Sequence, residues 1–221
     1  MLTRLLKLFF FGFIVKPIVF IVLGLNIRGR ERLPAQGPAI LAPNHNSHLD
    51  TLVLMSLYPL RDIGRVRPVA AADYFLANRW LAWFSLNIIG IIPLQRKHIG
   101  DKKSLFTLCN QALDQGDILI LFPEGSRGDS EDITELKKGI YHIANSLKNI
   151  TIVPIILHGL GKVLPKGEAL FVPFNCDVII GENLNAKKSK NANEFLCKLK
   201  DVYNELLLSC LTRQSSADDS F

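Results

Sequence analysis

Apolar residues crowd the start of the chain and then thin into short runs. Between Leu2 and Leu25 only Thr3, Arg4, Lys7 and Lys16 are polar, and Gly12, Pro17 and Gly24 interrupt the large side chains. Beyond Pro34, unbroken apolar runs alternate with stretches of helical spacing. Residues 39–42, 69–71, 118–122 and 150–157 read as buried strands. Residues 91–94 read as a short strand or turn, and residues 170–172 with 178–180 as a late strand pair. Helical spacing marks residues 52–57, 79–89, 103–113, 137–147 and 192–211. Such strand–helix alternation predicts an α/β sheet covered on both faces. The polar stretch 214–221 predicts a frayed, flexible tail. With no internal repeat or low-complexity tract, the body divides into an apolar segment over 1–27, one domain over 28–213 and that tail.

The apolar segment admits several readings. A secretory signal would begin in the same way, but no small-x-small cleavage site follows and the next segment is basic. A single transmembrane helix would set Lys16 and Pro17 near mid-bilayer. A central lysine costs roughly 2.5–3.5 kcal/mol on insertion scales, and a proline removes a helix hydrogen bond. Two short helices broken at Lys16-Pro17 and sunk into one leaflet avoid both costs. Arg4 and Lys7 stand at the start of the run and Arg28, Arg30 and Arg32 follow it, which favours both ends on the cytoplasmic side. The expectation is therefore a monotopic helical anchor on the cytoplasmic face. The competing reading is a buried core helix of a soluble protein.

Composition narrows the classes further. In 221 residues, 48% are hydrophobic and 21% charged, which supports a buried core and excludes wholesale disorder. A formal charge of +6 suits an anionic bilayer, nucleic acid or a phosphorylated substrate and selects none of them. The basic residues are scattered, so no nucleic-acid partner is expected. Cys109, Cys176, Cys197 and Cys210 show neither a C-x-x-C pair nor metal-ligand spacing, and a reduced compartment is expected.

Two loops that follow strands carry reactive residues. The first is Pro43-Asn44-His45-Asn46-Ser47-His48-Leu49-Asp50. On a straight helix His45 and Asp50 would lie about 140° apart, so they meet only if the chain turns between them. Ser47 followed three residues later by Asp50 supplies a helix-start signature. A carboxylate bonded to one imidazole nitrogen would leave the other as a base. Alternatively, Asp50 only caps the helix and His45 is an ordinary loop residue. The second loop is Phe122-Pro123-Glu124-Gly125-Ser126-Arg127-Gly128. Its glycines let backbone amides face an anion, and Arg127 can fork onto a phosphate. The plain alternative is a strand-to-helix turn with surface charges. A serine nucleophile elbow is excluded, because Glu124 stands where G-x-S-x-G needs its first glycine.

Together these residues resemble the PlsC-type glycerolipid acyltransferases, the 1-acylglycerol-3-phosphate acyltransferase family. The N-H-x-x-x-x-D block is met by Asn44, His45 and Asp50. Gly90-Ile91-Ile92-Pro93-Leu94-Gln95-Arg96 looks like the second block, F-P-E-G-x-R is met by Phe122 to Gly125 with Arg127, and Ile152-Val153-Pro154-Ile155 matches the fourth. The four blocks stand in family order over roughly residues 25 to 185. Where many members carry K-x-E-L, this chain has Ala71-Ala72-Asp73-Tyr74-Phe75.

The resemblance implies a mixed, largely parallel sheet covered by helices. It also implies transfer of an acyl group from acyl-CoA or acyl carrier protein to a lysophospholipid, 1-acylglycerol 3-phosphate foremost, without a cofactor. His45 would be the base and Asp50 its orienter. Arg96 and Arg127 would hold the acceptor phosphate, with Gly125 in the binding loop and Glu124 near the glycerol hydroxyls. Acylation of glycerol 3-phosphate or another lysolipid is the near alternative. A metal hydrolase using His45, His48 and Asp50 and a non-catalytic lipid-binding protein are rivals from other classes.

Overall fold

Seven strands form one sheet in the computed structural model, which describes residues 2–47, 49–95, 106–126, 133–163 and 176–218. In chain order they are β1 (Asn26–Arg28), β2 (Ala39–Pro43), β3 (Val66–Ala71), β4 (Ile92–Leu94), β5 (Ile118–Ile120), β6 (Thr151–His158) and β7 (Asp177–Ile180). Across the sheet they run β1-β7-β6-β2-β5-β3-β4. Every pairing is parallel except β6 with β7, which fits the mixed, largely parallel sheet that the resemblance implied. Parallel strands bury both faces, and here alternate residues feed two cores. Leu41, Ile120, Val153 and Ile155 point into one, and Ile40, Leu119, Ile152 and Ile156 into the other.

Helices cover both faces. The N-terminal helix, opening as α1 (Leu2–Phe9), and α2 (Asp50–Ser56) contribute to the first core. Next come α3 (Ala72–Phe75), packed near β3, and α4 (Arg79–Phe84), which continues as wide π-helical turns over Ser85–Ile89. The second core is built with α5 (Thr107–Asp114), α6 (Gly139–Ser146) and α8 (Ala192–Asp218), while α7 (Leu160–Val163) follows β6. The C-terminal helix thus runs past Leu211 to Asp218, into the stretch expected to fray. The strand expected at residues 170–172 and the beginning of the helix expected at 103–113 lie outside the described residues.

The N-terminal segment corrects one expectation. Helical backbone passes through Lys16 and Pro17 without a break, and residues 2–22 form one helix. Two features remove the costs that argued for a break. Wide π turns over Phe10–Val15 and Ile18–Val22 flank the proline, and such turns absorb a missing donor and a local bend. The Lys16 ammonium donates to the Tyr58 carbonyl at 2.9 Å, just beyond the C-terminus of α2, where a cation is favoured.

One face of this helix belongs to the core. Phe11, Val15, Val19 and Leu23 are at most 3% exposed, and burial of such a side chain stabilises by roughly 1.5–3 kcal/mol relative to exposure. The opposite face leaves Leu2, Phe9, Phe13 and Ile21 between 56% and 79% exposed. The helix is therefore apolar on both sides for two different reasons. The arginines that follow are also engaged: Arg28 donates to the Ser209 carbonyl, Arg30 to that of Leu57 and Arg32 to that of Ile180. They stitch the sheet edge to its surroundings.

Lys7 is the second docking point. Its ammonium donates to the Ile89 carbonyl at 3.0 Å, at the end of the π turns after α4. Gly90 follows with φ +83°, and a Cβ there would lie 3.0 Å from the Lys7 nitrogen. Burial, and then the Arg67 charge, lower the Lys7 pKa from 10.5 to about 8, with Asp117 opposing. The folded chain gives up this proton at lower pH than the unfolded chain does. Stability therefore rises with pH between 8 and 10.5. Denaturant unfolding in mild detergent should show the native protein gaining stability relative to Lys7→Met across that interval. Parallel pH curves for the two proteins would refute the desolvated ammonium.

Candidate active site

Both reactive loops leave the sheet at one edge because β2 and β5 are parallel neighbours. Leu41 faces Ile120, and the Leu121 amide extends the ladder by donating to the Leu41 carbonyl at 2.9 Å. Ligands of open α/β sheets bind outside such carboxyl ends. The end of β2 is held from two sides. From α8, the buried Tyr203 hydroxyl donates to the Ala42 carbonyl at 2.8 Å. From the loop itself, Asn44 donates to the Leu157 carbonyl at 3.0 Å and accepts from the Leu157 amide at 2.7 Å.

The chain turns between His45 and Asp50 as the helix-start signature required. A single carboxylate oxygen, Oδ2 of Asp50, receives the Asn46 amide at 2.8 Å, the Ser47 amide at 2.9 Å and His45 Nδ1 at 2.9 Å. Capping and orientation of the imidazole are thus one arrangement rather than alternatives. Since this oxygen is an acceptor, Nδ1 is the protonated nitrogen and Nε2 keeps its lone pair. Asp50 is fully buried, whereas the His45 side chain is 20% exposed. The ring stacks on Phe122 with centroids 4.0 Å apart, so the second loop supplies the surface against which the first sets its histidine.

Glu124 has neighbours other than those expected of it. It is 2% exposed. Its Oε1 accepts the backbone N–H of His45 at 2.9 Å, and its Oε2 accepts the amide and hydroxyl of Thr134 at 3.3 and 2.6 Å. The carboxylate ties the two loops together. Gly125 takes φ +73°, and its amide closes the turn on the Phe122 carbonyl at 3.1 Å. Arg96, Arg127, Gly128 and His48 lie outside the described residues.

A cavity of about 590 Å³ opens beside His45. Its walls are mostly apolar and include Val69, Tyr74, Phe75, Phe84, Ile91 and Phe122. Leu94, two residues before Arg96, and Ser126, immediately before Arg127, also line it. The segment that departs from K-x-E-L falls on this wall through Ala71, Asp73, Tyr74 and Phe75. Cys176 is no competing nucleophile: burial, then Asp177 and Asp50, push its thiol up to about 11, leaving little thiolate near neutrality.

The family model for acyltransferases matches residues 24–158, which span β1 to β6 and both loops. The chain belongs to the acyltransferase family. This acyltransferase domain is similar to the human 1-acyl-sn-glycerol-3-phosphate acyltransferase alpha, at 30% identity over 154 residues, 69% of this chain and 52% of that protein. It is 29% identical to the chloroplastic LPAT1 of Arabidopsis thaliana over 167 residues, 75% of this chain and 45% of that one. A Bacillus subtilis 1-acyl-sn-glycerol-3-phosphate acyltransferase is 29% identical over 163 residues, 73% of this chain and 74% of its own. The chain spans about half the length of the human and Arabidopsis relatives it matches. Its fold is that of the crystal structure of PlsC from Thermotoga maritima, with a TM-score of 0.67 at 16% identity over 94% of this chain and 97% of the other.

Three supports escaped the sequence reading. The motif gives Asn44 no role and Phe122 no contact, and Thr134, ten residues beyond Glu124, carries no local signal. Replacing Asn44 by Ala leaves the buried amide of Leu157 unpaired, while the Leu157 carbonyl keeps the Asn46 side-chain amide at 3.1 Å. At about 1–3 kcal/mol for an unsatisfied buried group, Asn44→Ala should destabilise the fold by about that amount in chemical denaturation. Loss of activity with native stability would contradict this bracing role.

Proposed function

We propose that the protein transfers a fatty acyl group from acyl-CoA or acyl carrier protein to the hydroxyl of a lysophospholipid, 1-acylglycerol 3-phosphate foremost, giving phosphatidic acid. The observation that carries this reading is the His45–Asp50 pair beside an apolar cavity, at the strand ends of an acyltransferase-family domain. An alcohol is a weak nucleophile at neutral pH. His45 Nε2 takes its proton as the oxygen attacks the thioester carbonyl. Collapse of the tetrahedral intermediate breaks the carbon–sulfur bond, and the proton on Nε2 passes to the departing thiolate. Ester and thiol are the products, so the reaction balances without a cofactor. Asp50 stabilises the imidazolium that forms in between, and Glu124 acts as a positioning residue through the His45 backbone.

The apolar cavity suits an acyl chain. Arg127 and Arg96 take the acceptor's phosphate in this reading, a fork-shaped donor being matched to phosphate oxygens. Gly125 and Ser126 line the same cavity as His45, directly before Arg127 in the chain. For a metal hydrolase, a cation at Asp50 Oδ2 would face two amide protons, so only Oδ1 could serve as its ligand there. The exposed apolar face of the N-terminal helix supports a monotopic attachment, and the basic residues at both ends of the apolar run favour the cytoplasmic side.

Two measurements test the chemistry. His45→Ala and Asp50→Ala should each lower turnover with palmitoyl-CoA and lysophosphatidate by about 10²–10⁴-fold or more, with circular dichroism unchanged for His45→Ala. Turnover in a folded His45→Ala protein within a few-fold of native would reassign the base. For the phosphate, Arg127→Lys keeps the charge and loses the fork. It should raise the KM for lysophosphatidate well above any change in KM for the thioester, and equal effects on both substrates would remove Arg127 from the phosphate site.

A further inference from the structure

Helix α4 has two faces that serve different neighbours. Leu81 and Phe84, with Ser85 and Ile89 in the turns that follow, line the cavity beside His45. On the other side Trp80 is 84% exposed, Trp83 47% and Leu86 43%. Large aromatic surface left in water is costly, and tryptophan concentrates where an apolar body and a polar edge are both satisfied, at the boundary of a bilayer. The helix is also continuous with the exposed apolar face at the N-terminus. Phe10 packs edge-on against Phe84 at 5.2 Å, and Lys7 binds the Ile89 carbonyl at 3.0 Å, so the two helices lie side by side. Exposed Arg4 and Arg79 stand on these two elements, the charge that an anionic lipid surface takes up.

We infer that α4 is a second membrane-contacting element, seated in an anionic lipid interface through Trp80 and Trp83, and that it forms the wall between bilayer and cavity. This rests on the lipid acyl transfer proposed above. With one face of α4 in acyl chains and the other against the cavity, an acyl chain enters alongside the helix without crossing water. The anchor holds the domain to the surface. The tryptophan face sets its tilt and brings the cavity entrance to the lipid.

The chain has only two tryptophans, and both lie on α4, so tryptophan fluorescence, excited selectively beyond tyrosine absorption, reports this helix alone. The full protein is reconstituted into phosphatidylcholine–phosphatidylglycerol vesicles, with plain or brominated acyl chains, and attachment is followed by flotation. Emission should be strongly quenched by the brominated chains and shielded from aqueous iodide, and Trp80→Phe should report the same for Trp83. Vesicle-bound protein whose emission is open to iodide and insensitive to bromine overturns the inference. So does failure to float with vesicles, or a spectral shift that follows protein concentration without lipid, which assigns the face to a second copy of the chain.

A kinetic arm uses Trp80→Ser with Trp83→Ser, neither residue lining the cavity. The double variant should lose several-fold in rate on lysolipid presented in vesicles and retain its rate on a dispersed short-chain acceptor. Equal losses on both, or none on either, overturn it. Absence of acyl transfer in the native protein, with quenching intact, would instead defeat the proposed function and leave the membrane contact standing.

Discussion

Around Oδ2 of Asp50 the rest of the site is arranged. Three N–H donors from three consecutive residues, the His45 ring and the Asn46 and Ser47 amides, converge on it within 2.9 Å. Hydrogen bonds to an ionised acceptor are short and about twice as strong as neutral ones, and this one lies in a water-excluded place, where each counts for more. The same contacts begin α2, reverse the chain and choose the imidazole tautomer. Removing the carboxylate would strand two amides and release the ring together, so the helix start and the setting of the imidazole cannot be separated energetically.

That convergence is useful only because the sheet delivers a second loop to it. The parallel register of β2 with β5 sets Phe122 beneath the imidazole and brings Glu124 to the His45 amide. Tyr203 and Asn44 hold the end of β2 from the opposite core and from β6. Each brace ends on backbone, so the precision of the site depends on strand positions rather than on flexible side-chain pairs.

The N-terminal helix follows a similar economy. Its two lysines, which a bilayer would penalise, both end on carbonyls near helix C-termini of the folded domain. One apolar stripe completes the sheet's first core and the other faces outward. The helix thus belongs to the domain that it precedes, and α4 beside it joins the outward surface to the cavity.

Much of this was legible along the chain. Continuous apolar runs identified β2, β5 and β6, because strands buried on both faces admit few polar residues. The helix-start signature brought His45 and Asp50 together, because capping is decided within a few residues. Three-residue β1 and four-residue α3 are too short to show a period. Local reading also broke the N-terminal helix at Pro17, since neither the π turns nor the carbonyl awaiting Lys16 is written nearby. Glu124 reads locally as an acceptor for a hydroxyl or a partner for Arg127; the neighbouring strand, remote in sequence, makes it a brace for His45, while Thr134, ten residues on, takes its other oxygen. Local signals determine what a few adjacent residues can do, whereas a hydrogen-bond partner 79 residues away is chosen by the sheet. The sequence by itself determined the reactive groups and the turn that pairs them. The tertiary structure decided what each group is bonded to, because burial and strand register are properties of the whole chain.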